Sequence, residues 1–225
     1  MISAFGDEAM LVVFGEAIDR ALNRRAHALA QRIREPNGAG WGTPVPGYAS
    51  VLVPFDPSTV EADVVTARLA KLVAEVQALE AMPANVAATD PRSVAEIPVR
   101  YGGLDGPDLR AVAERTDLTP AQVIEAHAST VYDVYLLGFV PGFAYLGTLP
   151  PEIVLPRRDE PRARVPAGSV AIAGRQTAVY PSETPGGWHL LGRTDASMWD
   201  ARRVPSASLA AGQRVRFVPT ATSEG

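Results

Sequence analysis

Eight prolines fall between Pro141 and Pro185. Each one removes a backbone donor and clashes with the turn before it, so no helix of useful length fits that spacing. The apolar runs around those prolines must therefore be short strands joined by Pro/Gly turns. Strands are expected at 131–137, Ser169–Ala173, Thr177–Tyr180, Trp188–Leu191 and Arg214–Val218, with Ile97–Tyr101 before them. Many short strands with such punctuation argue for a β-barrel or sandwich. Two short helices precede the strand-rich part, about Pro107–Arg115 and Pro120–His127. Thr119 is placed to cap the second, with Pro120 at its first position and Gln122 at the third.

The first eighty residues are patterned differently. A strand is expected at Glu8–Phe14, then a helix at about Ala17–Arg34 with Ile18, Leu22, Leu29 and Ile33 on one stripe. Pro36, Asn37 and Gly38 stop that helix. Strand material follows at Gly42–Phe55, broken at Pro46–Gly47 and alternating over Ala49–Val53. A second helix is marked by Ser58 and Glu61 at capping-box spacing, and by Val65, Leu69, Leu72, Val76 and Leu79 at intervals of 4, 3, 4 and 3. This β-α-β-β-α order suits a small sheet with helices on one face. The fold class expected is α+β: a sandwich domain over 1–82, a Pro/Ala-rich linker over 82–92, and a barrel domain over 93–225. No internal repeat stands out.

Composition narrows the chemistry. The net charge is −4, without the basic excess that a generic nucleic-acid binder uses against phosphates. No apolar run reaches the roughly 20 residues that span a bilayer. The N-terminal segment has acids inside its apolar stretch and no basic start, unlike a signal peptide. The expectation is a cytoplasmic protein without nucleic-acid or membrane partners. There is no cysteine, hence no thiolate nucleophile and no Cys-ligated metal. His27, His127 and His189 have no i, i+4 pairing, so no metal site is expected. The single lysine, Lys71, follows no glycine-rich loop, and GxSxG and GxGxxG patterns are absent.

Three segments carry information. Leu137–Leu149, LGFVPGFAYLGTL, sets Phe139, Phe143 and Tyr145 among Pro141, Gly142 and other turn residues. Aromatics on such a loop wall a pocket or an interface, or else plug the core beneath it. Pro156–Ala167 holds Arg157, Arg158, Arg162 and Arg164 around Asp159 and Glu160. It is either a solvated loop or a clamp for carboxylate or phosphate, since arginine offers a fixed fork of donors. Arg162 and Arg164 share a face if extended. In Val165–Gly192, Gly186 and Gly187 form a tight turn that delivers Trp188 to a pocket or core. Gln176 and Tyr180, four apart, point to the same side of a strand. They supply polar contacts to a pocket, or Tyr180 makes a structural hydrogen bond. His127 ends a helix, where a cation favours the dipole. His189 is expected to face outward, and His27 to be surface.

The runs GFVPGFAYLGTL and PRRDEPRARVPAGSVAIAGRQTAVYPSETPGGWHLLGRT resemble the signature of a bacterial family that comprises KipI and the B subunits of 5-oxoprolinase. That family is also called allophanate hydrolase subunit 1, or carboxyltransferase subdomain C/D. GDEAMLVVFG, Val51–Asp56 and Ile97–Gly103 match as well, so the resemblance spans nearly the whole chain. It implies a small α+β domain followed by a cyclophilin-like β-barrel. It also implies work with C and A subunits in an ATP-dependent 5-oxoprolinase that opens 5-oxo-L-proline to L-glutamate, the ATP site being shared with or supplied by those partners. Candidate catalytic residues are then Arg162, Gln176, Tyr180 and His127. Candidate substrate- or partner-binding residues are Phe139, Pro141, Gly142, Phe143, Tyr145 and Trp188. One family member instead inhibits a sporulation histidine kinase, which keeps a kinase-binding module as the alternative. Related domains occur in urea carboxylase, but no biotin-acceptor lysine context is present here. Ala178 departs from the family's usual Gly and narrows whatever space it faces. Limited proteolysis is expected to cut first within 82–92 and leave 93–225 folded; resistance there, or an unfolded fragment, contradicts the boundary.

Overall fold

Alternating burial along Ala9–Val13 and Ser50–Pro54 puts Met10, Val12, Val51 and Val53 on one face of a sheet, as a two-residue period requires. The computed structural model describes residues 1–34, 40–80 and 94–220, and its backbone divides into two units, Met1–Asp90 and Pro91–Gly225. The expected linker, the Pro36–Gly38 stop and the Leu79 side chain lie outside what is described. In the first unit β1 (Ile2–Ala4), β2 (Ala9–Val13), β3 (Val45–Pro46) and β4 (Ser50–Pro54) form an antiparallel sheet in the order β1-β2-β4-β3. Helices α1 (Arg20–Arg34) and α2 (Ala62–Glu80) add Ala26, Leu29, Ile33, Val65, Leu69 and Val76 to the same core. This is the expected sandwich.

Both helices start later than their sequence patterns suggest. Asp19 accepts from the backbone N–H of Ala21 at 2.8 Å and of Leu22 at 3.0 Å. That cap starts α1 at Arg20 and leaves Ile18 exposed outside it. Ahead of α2, Ser58 donates to Asp56 through its N–H at 2.9 Å and its hydroxyl at 2.6 Å. The local turn thus takes the serine away from the expected capping box.

The second unit contains β5 (Val94–Tyr101), α3 (Leu109–Arg115), α4 (Pro120–Ser129), β6 (Val131–Leu137), β7 (Ala144–Gly147), β8 (Arg162–Val165), β9 (Ser169–Ala173), β10 (Gln176–Val179), β11 (Thr184–Gly186), β12 (His189–Arg193) and β13 (Arg214–Pro219). Seven strands close into a barrel, β10-β7-β6-β13-β5-β12-β9, while β8 and β11 form a separate ribbon. β13 runs parallel to β5, and the other barrel pairs are antiparallel. The Thr119–Gln122 capping box forms as its spacing dictates. No helix among the described residues is long and apolar enough to cross a membrane.

Two barrel strands are buried on both faces. Along β9 the large residues Val170 and Ile172 join the barrel core with Val134, Leu146 and Phe217, while Ala171 and Ala173 belong to a second core. The alternation is large against small rather than apolar against polar. Ala178 of β10 belongs to that second core and is fully buried, so its methyl faces packed side chains.

His127 is a core residue and not a terminal cation. It is 0% exposed and stacks on Phe217 with ring centroids 4.6 Å apart. Its Nδ1 lies 2.7 Å from the Tyr101 hydroxyl and its Nε2 2.8 Å from Thr177 Oγ1. Thr177 donates its own proton to the Ala171 carbonyl at 3.1 Å. The network therefore assigns a neutral ring that donates through Nε2 and accepts at Nδ1. Burial lowers its pKa to about 3. The unfolded chain takes up this proton near pH 6.5 and the folded chain does not. Stability from this group is full above pH 6.5 and falls on acidification, by at most about 1.4 kcal/mol per pH unit down to about pH 3. His127→Gln is expected to be less stable at pH 7.5 yet flatter between pH 6.5 and 4 in thermal unfolding. An unchanged slope contradicts this.

Candidate active site

Asp108 ties the N-terminus of α3 to the arginine-rich strap before β8. Its side chain is 6% exposed and makes no cap bond to its own helix. Instead it accepts from Arg162 Nη1 at 2.8 Å and Nη2 at 2.7 Å, from Arg158 Nη1 at 3.0 Å, and from the Leu190 backbone N–H at 2.8 Å. Burial alone pushes such a carboxyl up. The Arg162 guanidinium, the Leu190 N–H and Arg158 outweigh that and hold it below the usual carboxylate range. The strap is pinned at two further points. His189 Nε2 donates to the Pro156 carbonyl at 2.9 Å, and the Arg158 N–H donates to the Gly187 carbonyl at 2.8 Å. His189 is buried rather than outward, because β12 too has cover on both faces. Burial lowers its pKa, with Arg115 and Arg158 acting the same way, while the Pro156 carbonyl and Asp108 oppose them.

Beside the strap, the rings of Phe143, Tyr145, Tyr180 and Trp188 pack on the alanine face of β9 and β10. Phe143 is central, with ring centroids 4.8 Å from Tyr145, 5.3 Å from Tyr180, 5.4 Å from Phe139 and 5.9 Å from Trp188. Mutual edge-to-face geometry of this kind fits aromatic quadrupoles. The Tyr180 hydroxyl lies near the Trp188 backbone, which favours the phenolate. It also lies so close to Gly186 that a Cβ there would sit 2.3 Å from it, so the ribbon reaches the phenol only because residue 186 has no side chain. Burial raises the Tyr180 pKa to about 12, against the pull of Arg157 and Arg162.

The structure sorts the sequence candidates. Phe143, Tyr145, Tyr180 and Trp188 come together, and Arg162 lies within electrostatic reach of Tyr180. Phe143, 2% exposed, is a core ring and not an anchor on the surface. Arg162 has both terminal nitrogens engaged with Asp108, so it holds the strap in place. Gln176 opens β10, nearly buried, opposite Ala173 and Gly147. It shares a face with Tyr180 but lies about 13 Å along the strand from it. His127 belongs to the barrel interior. Phe139, Pro141 and Gly142 line a shallow groove of about 470 Å³ with Leu137 and Trp199. Phe139 is 61% exposed there and holds a φ of +69°, a left-handed conformation that costs a non-glycine residue roughly 1–2 kcal/mol.

Sequence reasoning missed Asp108, because an acid in the first turn of a helix expected at about Pro107–Arg115 reads as an ordinary partner of the helix dipole. It also missed Trp199, which lies in a loop without periodicity. Over residues 1–209 the sequence matches the carboxyltransferase domain, subdomain C and D. The chain belongs to that family. It is 40% identical to the 5-oxoprolinase B subunit of Bacillus subtilis (strain 168) over 219 residues, 96% of this chain and 91% of that one. It is 42% identical to the 5-oxoprolinase B subunit of Escherichia coli O157:H7 over 216 residues, 95% of this chain and 93% of that one. The crystal structure of TTHA0988 superposes with a TM-score of 0.80 at 36% identity, covering 97% of this chain and 41% of that longer one. In this family member the two phenylalanines of the aromatic loop divide the work. Phe143→Ala is expected to cost about 3–5 kcal/mol in denaturant unfolding, and Phe139→Ala under about 1 kcal/mol. Equal losses contradict the division.

Proposed function

We propose that this chain is the B subunit of a heteromeric 5-oxoprolinase, which converts 5-oxo-L-proline to L-glutamate with ATP, and that it is inactive without the C and A subunits. One observation carries the reading: two relatives named as the B subunit of 5-oxoprolinase each align over at least 95% of this chain at 40% and 42% identity. In the reaction, water oxygen bonds to the lactam carbonyl carbon, the ring C–N bond breaks, and the nitrogen leaves as the amine of glutamate. ATP is hydrolysed to ADP and phosphate in the same complex.

The described residues of this chain do not fit a nucleotide by themselves. Lys71 lies in α2 without a phosphate-cradling loop before it, and no cluster of His, Asp and Glu among the described residues suits a phosphate-bridging cation. In this reading the ATP site is shared with or supplied by the partner subunits. What this chain supplies is one wall of the lactam site. In this reading Tyr180, buried beneath the Gly186 turn, supports that wall from below rather than touching the lactam. Arg158 and Arg162, fixed by Asp108, set the strap beside it. The exposed Phe139–Trp199 groove, with an aromatic held in a strained conformation, supports a face that meets the C subunit.

The test is 5-oxo-L-proline-dependent glutamate release with ATP. The purified chain is expected to show none, and the mixture with the C and A subunits sustained turnover. Turnover by the chain alone contradicts the shared site, and none in the full mixture contradicts the function.

A further inference from the structure

The loop at 138–142 and the loop at 198–208 meet at Gly142. A Cβ there would sit 2.7 Å from Trp199 Cβ and 2.9 Å from the Met198 carbonyl oxygen, so the loops approach this closely because residue 142 has no side chain. Each loop is tied within itself. The Gly138 N–H donates to the Phe143 carbonyl and the Phe143 N–H to the Val140 carbonyl, both at 3.1 Å. The Ser208 N–H donates to the Met198 carbonyl at 3.0 Å, and the Asp200 N–H to the Ser206 carbonyl at 2.9 Å. Between the loops lies the groove of about 470 Å³, lined by Leu137, Phe139, Pro141, Trp199 and Ala207 among others. Leu137, Phe139, Trp199 and Val204, on or beside these loops, are four of the six large apolar side chains that the described residues of the second unit expose. Such clustering on one face marks an interaction surface.

A cation stands at the rim of this groove. Arg203 Nη2 donates to the Ser208 hydroxyl at 2.8 Å and to the Ser197 carbonyl at 3.3 Å. Ser208 follows Ala207, which bridges to Trp199, so the guanidinium is fixed where those two lining residues meet. Both of its acceptors are neutral, and its side chain is exposed. The loop has three charged residues, Asp200, Arg202 and Arg203, and 137–142 has none. Asp200 is taken by Arg202, through Nε and Nη2 at 3.0 Å each. Among the described residues no carboxylate forms an ion pair with Arg203, so Arg203 gives the rim its net sign.

We propose that this groove docks a segment of a partner protein that carries an apolar or aromatic side chain beside a carboxylate. The apolar side chain seats between Phe139 and Trp199, and the carboxylate pairs with Arg203, whose remaining donors face no anion of its own chain. Aromatic and arginine side chains are the types that dominate interface hot spots. Phe139 is already held in its conformation by the hydrogen bonds around it, so docking has little ordering of that ring to offset. Taking the C subunit as the partner rests on the function proposed above; the chemistry of the occupant does not.

The full chain is titrated by NMR with three amidated peptides: acetyl-Glu-Glu-Phe-Glu-Glu, the same peptide with Ala in place of Phe, and the same peptide with Lys in place of every Glu. The first is expected to bind at least about tenfold more tightly than the other two, and to shift the Trp199 indole and the amides of Gly138, Gly142 and Ala207. Phe139→Ala should weaken it about tenfold, and Arg203→Gln about three- to tenfold with a smaller salt dependence. Arg203→Lys, which keeps the charge, should retain most of the affinity, which separates loss of the cation from loss of loop structure. Equal affinity for the three peptides, or binding unchanged in both Phe139→Ala and Arg203→Gln, overturns the proposal. The C subunit is expected to displace the first peptide; a C subunit that binds the chain without displacing it contradicts that choice of partner. Peptide binding that depends on Phe139 and Arg203, without glutamate release in the full mixture, upholds the groove and refutes the 5-oxoprolinase reading.

Discussion

The Asp108 carboxylate is the constraint on which the candidate site depends. It is nearly buried, and two guanidiniums and a backbone N–H converge on it. A buried charge without partners is far more costly than one fully hydrogen-bonded, so the groups around Asp108 have little freedom to leave. That fixes α3, the strap at 156–162 and the start of β12 relative to one another. The same arrangement sets what each arginine can do. Arg158 and Arg162 are structural cations that hold the strap on Asp108.

The second constraint is that β9 and β10 serve two cores. Val170, Ile172 and Val179 fill the barrel, and Ala171, Ala173 and Ala178 seat the rings outside it. Small residues on the outer face let the rings approach the sheet closely, so the aromatic cluster is supported by the barrel wall rather than by a loop alone. Thr177 links the two sides through the backbone: its hydroxyl accepts from His127 within the barrel and donates to the carbonyl of Ala171. A site placed on such a wall inherits the rigidity of the barrel.

Much of the fold was legible because local signals and tertiary packing agree. The proline spacing excluded helices where strands occur, the Thr119–Gln122 pair capped its helix, and Leu29, Ile33, Val65, Leu69 and Val76 fell on the buried stripe. Other features were hidden for physical reasons. Ser58 has the spacing of a capping box, but Asp56 two residues earlier competes for it. His189 lies on a strand buried on both faces, where alternation no longer reports which side is outside. The parallel pairing of β13 with β5 joins segments more than a hundred residues apart, and no local pattern encodes it. At the site, the aromatic segment and the arginine strap were both found. Which arginines are held in place was not, because that depends on Asp108, some fifty residues earlier in the chain, and on the geometry of one carboxylate.

That division of roles among the arginines is open to direct observation. In the full chain, exchange of the guanidinium Nη–H protons of Arg157, Arg158 and Arg162 with solvent is followed by NMR at low temperature. Arg162, with both terminal nitrogens on Asp108, is expected to exchange slowest, Arg158 next, and the exposed Arg157 fastest. Equal exchange at Arg157 and Arg162 would show that Asp108 does not hold its partner and would contradict the central role given to that carboxylate.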